Sequence, residues 1–136
     1  MDSGTGDIFL WYTRIKNLFL KEGVMIRKKI LSPGRVRSID KSFCFIPHRF
    51  LTGGFLQSLT RHELALYVFL VLASDKYGLS FYSDRSICSI LGLEEEDYLF
   101  ARSSLIHKDL ITYDGTLFQV LSLPETAHKA SGRAAV

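Results

Sequence analysis

The ten residues Leu64 to Ala73 are the longest strictly apolar run in the chain. That run limits the architecture more than any other feature. It is far short of the roughly 18 apolar residues needed to span a bilayer. It is also long for a strand, and Thr60 with Glu63 three residues on forms a capping box ahead of it. The pattern predicts a helix starting after Thr60. Because the run is apolar on all sides, the helix should be central and covered on most faces. Asp75 to Gly78 ends it. With 136 residues, 47% apolar and 23% charged, the chain can build one core around this helix.

The elements around it follow from local signals. Ser42 to Ile46 reads as a short strand or extended lead-in. Pro47 then permits a helix start. A short helix from about His48 to Ser58 would bury Phe50, Leu51, Phe55 and Leu56, although Gly53-Gly54 weakens it. After the central helix, Leu79 to Tyr82 reads as a strand. Ser83 caps the next helix, and Asp84 suits its positive end. Ile87, Ile90 and Leu91 share one face of that helix. Gly92 fits the left-handed residue that stops it, with Leu93 folding back. A further helix then carries Tyr98, Ala101, Leu105 and Ile106 as its inner stripe and ends near Lys108-Asp109. Leu110 to Tyr113 and Thr116 to Leu121 are two strands, joined at Asp114-Gly115, a dipeptide suited to a tight hairpin. Pro124 ends regular structure. His128 to Val136 reads as a frayed tail.

The expected class is therefore mainly α with a small antiparallel β-hairpin. The order is helix, short strand, helix, tight turn, helix, hairpin. The spacing Ile87…Ile90-Leu91-Gly92-Leu93…Tyr98…Ala101…Leu105…Leu110-Ile111 resembles the winged helix-turn-helix superfamily, including bacterial regulators and plasmid replication initiators. The likeness runs from about Ser58 to Leu123. Three stretches, Phe45-Ile46-Pro47-His48-Arg49-Phe50-Leu51, Gly78-Leu79-Ser80-Phe81-Tyr82-Ser83 and Phe118-Gln119-Val120-Leu121-Ser122-Leu123-Pro124, are similar to small helix-turn-helix proteins of bacterial mobile elements. Those proteins begin at about Met25 here. The resemblance implies a fold and a bacterial, mobile-element setting more than an activity.

The first 24 residues have two readings. Lys21-Glu22-Gly23 can be encoded AAG-GAG-GGN, which reads as a bacterial ribosome-binding site a few nucleotides before the Met25 codon. Residues 1–24 would then be a non-native leader. Alternatively they form an amphipathic helix, with Ile8, Trp11, Tyr12, Ile15, Leu18 and Phe19 at near-helical spacing. The expected organisation is then a leader or flexible helix over 1–24, a basic arm and lead-in over 25–46, the winged domain over 47–123 and a flexible tail over 124–136. Cys44 and Cys88 lie far apart at no paired-ligand spacing. Both read as buried thiols, consistent with a cytoplasmic protein. The N-terminal stretch is broken by Arg14 and Lys16, unlike a secretory signal, and no membrane association is expected.

Charge distribution carries the functional reading. Residues 14–49 hold ten Lys or Arg against Glu22 and Asp40, while residues 50–136 hold seven against ten acids. A basic arm thus precedes a mildly acidic domain. Such an arm either grips phosphates or is a solvated tail. In a winged helix the second helix of the pair enters the major groove of double-stranded DNA, and its first residues meet the bases. Here that helix starts Glu94-Glu95-Glu96-Asp97, and those acids would repel phosphates. Its outward positions Leu99, Phe100, Arg102 and Ser103 add one positive charge.

Two functions follow. In the first, the chain is a DNA-binding regulator of transcription or an accessory factor of a mobile element. Arg27, Lys28, Lys29, Arg35, Arg37 and Lys41 then contact phosphates or a minor groove. Arg85, Leu99, Arg102, Ser103 and Lys108 add contacts from the domain. Six phosphates engaged would give a log–log salt slope of about −5. In the second, the winged helix docks a basic protein partner, with Leu99 and Phe100 as anchors and no DNA contact. A homodimer is compatible with either, although no heptad demands one.

No enzyme, metal or cofactor is expected. His48, His62, His107 and His128 are scattered and form no HExxH motif. Consecutive acids such as Glu94 to Asp97 point around a helix axis and do not converge on a metal. Gly53-Gly54 lacks the Lys-Ser or Lys-Thr of a phosphate loop.

Overall fold

The computed structural model describes residues 26–39 and 42–127. The expectations for residues 1–25, Lys41 and 128–136, including the choice of start, the leader and the frayed tail, lie outside the described residues.

Thr60 sets the start of the central helix. Its backbone is extended, its hydroxyl accepts from Glu63 N–H at 3.2 Å, and Glu63 Oε1 accepts from Thr60 N–H at 3.0 Å. This reciprocal pair satisfies two of the donors that a helix start leaves open. Helix α2 then runs Arg61–Ala73, preceded by the single-turn helix α1, Arg49–Thr52. Leu66, Tyr67, Leu70 and Val71 are buried, whereas Leu72 is exposed. Leu72 is the one exposed residue of the run, so the helix is covered on most faces.

The expected helix from His48 to Ser58 is two pieces, α1 and a 3-10 turn at Leu56–Ser58. The break falls at Gly53-Gly54, where helix propensity is lowest. Phe50 and Phe55 are buried as expected, and Phe50 stacks on Tyr67 with centroids 4.9 Å apart. Leu51 is exposed instead. Ser42 to Ile46 forms no helix or strand and joins no sheet. Cys44, read as buried, is exposed, and Cys88 is only partly covered.

Strand β1 is Leu79–Ser80 and stops before Phe81 and Tyr82, both exposed. Helix α3, Asp84–Leu91, begins at Ser83, whose hydroxyl accepts from Ser86 N–H. It ends at Gly92, in the left-handed conformation at φ 68°, with the N–H groups of Gly92 and Leu93 both donating to Cys88 O. That double closure is how a left-handed residue satisfies a helix C-terminus. Helix α4, Glu95–His107, follows after Leu93-Glu94. Its buried stripe is Tyr98, Ala101 and Leu105, while Ile106 lies about 100° around the axis and is exposed.

Asp109 ends α4 at φ 65°, and Leu110 N–H donates to Leu105 O. Strands β2, Ile111–Tyr113, and β3, Phe118–Val120, pair antiparallel with Tyr113 opposite Phe118. The tip of the hairpin is Gly115-Thr116, one residue later than expected. Asp114 accepts from Thr116 N–H and Leu117 N–H through Oδ1. These two donors hold its carboxyl below the usual range. β1 joins the other edge of β3, giving the sheet order β1-β3-β2. The chain is thus a set of helices packed on a small three-stranded antiparallel sheet. Ile87, Leu105, Leu110, Ile111 and Phe118 join α2 and α4 in one core.

Candidate nucleic-acid interface

The α3–turn–α4 pair presents one long face to solvent. On α4 the positions Glu96, Phe100, Ser103 and His107 follow one ridge at spacings of four, three and four. All four are exposed, and Phe100 is 70% exposed. Glu94, Glu95 and Asp97 add exposed carboxylates at the start of the helix. The ridge carries an aromatic ring among acids and no lysine or arginine. Of the residues expected there, Ser103 is exposed. Leu99 is half-buried and packs against the core, so it is no outward anchor.

Two expected DNA contacts belong to the fold. Lys108 lies in the interior. Its Nζ donates to Glu63 Oε1 at 2.6 Å and to Ser58 O at 2.5 Å, and both charged side chains are 1% exposed. An ammonium so placed cannot reach a phosphate. The expectation failed because Lys108 sits at the C-terminal end of α4, where its side chain can turn back beneath α2. Burial alone would raise the Glu63 pKa. The Lys108 ammonium, the nearby Ser104 hydroxyl and the Thr60 N–H outweigh it and hold the carboxyl below its ordinary value.

Arg102 is the second. Its Nη1 donates to Asp84 Oδ1 at 3.1 Å, and Tyr98 O–H donates to the same oxygen at 2.5 Å. The guanidinium also lies over the Tyr113 ring at 4.5 Å. Arg102 therefore joins the start of α3, the middle of α4 and strand β2. Burial, then the hydrogen bond to the Asp84 carboxylate, push the Tyr98 hydroxyl well above its ordinary pKa. Burial alone would lower the Arg102 pKa, but Tyr98 and Asp84 raise it. The Tyr98–Arg102 spacing of four was legible in the sequence. Asp84, 14 residues before Tyr98, was not, because it meets them only when α3 and α4 pack. Arg102→Ala should lower stability by about 1–2 kcal/mol through loss of the charged hydrogen bond and the ring contact. It should leave the salt slope of any DNA binding unchanged. A slope reduced by one would return Arg102 to the interface.

Arg49 was counted with the basic arm and is also structural. It donates to the carbonyls of Leu123 at 2.8 Å and Pro124 at 2.9 Å, which fastens the segment after β3 to α1. Phe43, Phe45, Tyr67 and Tyr77 line a groove of about 790 Å³ beside this clamp. The polar groups there are committed locally. Asp75 accepts from Tyr77 and Leu79 N–H, and Lys76 lies over the Tyr77 ring.

The arm differs from the domain. Arg27, Lys28, Lys29, Arg35 and Arg37 are all exposed, and residues 26–39 contain no acid. Arg85, near the start of α3, is exposed as well. The loop between β2 and β3 carries Asp114 and no cation. Among the described residues no group of three or more His, Cys, Asp or Glu could hold a metal ion, and no helix is long and apolar enough to cross a membrane.

No protein-family model, curated protein or solved structure matches this chain.

Proposed function

We propose that the chain is a winged helix-turn-helix protein that binds double-stranded DNA through its basic arm and not by inserting α4. The element order α2, β1, α3, turn, α4, β2, β3 supports the winged-helix reading. The observation that carries the function is the arm, with five exposed cations and no acid over residues 26–39. With Arg102 and Lys108 committed inside the domain, α4 has no fixed positive charge to offset its four leading acids. The electrostatic attraction therefore resides in the arm, with exposed Arg85 on α3 as a further cation. The setting implied by the resemblance is a bacterial regulator or accessory factor of a mobile element.

A gel-shift titration of random-sequence duplex across salt concentrations tests this. Five phosphate contacts give a log–log slope of about −4.5. Changing Arg27, Lys28, Lys29, Arg35 and Arg37 together to alanine should abolish the shift without altering the melting temperature. Absence of any complex at low salt would defeat the proposal.

Exposed Phe100 within an acidic ridge favours a second reading, a docking face for a basic protein partner. Phe100→Asp separates the readings. It removes the aromatic anchor yet leaves the arm's DNA affinity in place.

A further inference from the structure

We infer that the basic arm of one copy docks on the outer face of α4 in a second copy, forming a salt-sensitive dimer by reciprocal arm exchange. Two surfaces of this chain complement each other and neither is covered. The first is the arm. Its cations lie beside apolar side chains, and Ile30, Val36 and Leu31 are exposed, Leu31 to 84%. The second is the solvent face of α4, with Phe100 exposed and Glu96 and Asp97 on the same side one turn earlier.

The pairing is chemical as well as electrostatic. Arg and Lys would meet the carboxylates while Ile30 or Leu31 covers the Phe100 ring, which removes apolar surface from water on both sides. The occupant is a second copy because the arm's apolar side chains are open to solvent and make no such contact within one chain. The match also explains why the acids lie on the face that a groove-inserting helix would keep basic. Nucleic acid and a second copy compete for the same arm, so the dimer would open when the arm engages phosphates.

The test is sedimentation of the full chain, without nucleic acid. At low salt the wild type should sediment at twice its monomer mass of 15.4 kDa. At about 1 M salt, where the screening length is only about 3 Å, it should be monomeric. Arg27→Glu, Lys28→Glu and Lys29→Glu together, which leave two cations against three acids in the arm, should be monomeric at low salt. So should Glu96→Lys with Asp97→Lys, which reverse the two carboxylates beside Phe100. Mixed together, the two reversed proteins should form a one-to-one heterodimer, because each arm then meets a face of opposite charge. All five side chains are exposed, and circular dichroism checks that each variant is folded. Should the α4 variant lose structure, the arm variant tests the same contact without touching a folded element. A wild type that is monomeric at low salt overturns the proposal. So does a reversed pair that fails to associate on mixing, or an arm variant that remains dimeric.

Discussion

Lys108→Met is expected to lower folding stability by about 3–5 kcal/mol, read from the urea midpoint. The size comes from what the change leaves behind. Glu63 is buried, and its Oε1 accepts both the Lys108 ammonium and the Thr60 N–H. Without Lys108, a carboxylate remains in the interior with only neutral donors. Ser58 O loses its ammonium donor as well. Changing both partners, with Glu63→Gln and Lys108→Met, should recover most of the loss. The amide can still accept from Thr60 N–H, and no charge remains buried. A Lys108→Met protein within about 0.5 kcal/mol of wild type would show the pair to be immaterial.

The pH dependence has a definite sign. In the wild type the folded Glu63 pKa lies below its ordinary, unfolded value. Its contribution is therefore present above that value and lost as pH falls through the folded pKa. Removing Lys108 removes a principal cause of the lowering, and burial then raises the folded pKa above the unfolded one. The variant should consequently lose stability as pH rises from the unfolded value through the raised one. Its deficit should be smaller at mildly acidic pH than at neutral pH, and unfolding curves at the two pH values measure this difference.

The same pair marks where sequence reasoning ended. Thr60 and Glu63 are three residues apart, and their capping box was legible because both partners belong to one local motif. The second role of Glu63 was not, because Lys108 lies 45 residues away and reaches it only once α4 packs beneath α2. Lys108 therefore read as a surface cation. Arg102 misled in the same way, since Asp84 and Tyr113 approach it from other elements. Helix boundaries set by local chemistry, at Ser83 and Gly92, appear where the sequence placed them. The coverage of the Leu64 to Ala73 run on most faces was legible too, because an all-round apolar helix has no face suited to water, and only Leu72 is exposed. The arm was legible as charge alone, and charge does not depend on packing.

Gly78→Ala should cost about 3 kcal/mol, against about 1 kcal/mol for Gly92→Ala, although both residues have positive φ. Gly92 lies at φ 68° with no heavy atom within 4 Å of an added Cβ, so alanine there meets backbone strain only. Gly78 lies at φ 86°, and an added Cβ would sit 2.6 Å from Val120 O, a backbone atom that cannot swing aside. Gly78 also supplies the carbonyl that accepts from Val120 N–H at 2.8 Å, next to the β1–β3 pairing of Leu79 with Gln119. Relieving the clash must separate these two backbones, so strain and lost pairing add. Because β1 has only two residues, it has no other register to adopt. Amide exchange at Val120 should accelerate in Gly78→Ala and stay close to wild type in Gly92→Ala. Equal stability losses in the two variants would mean that conformation alone, and not the approach to Val120, makes glycine necessary at position 78.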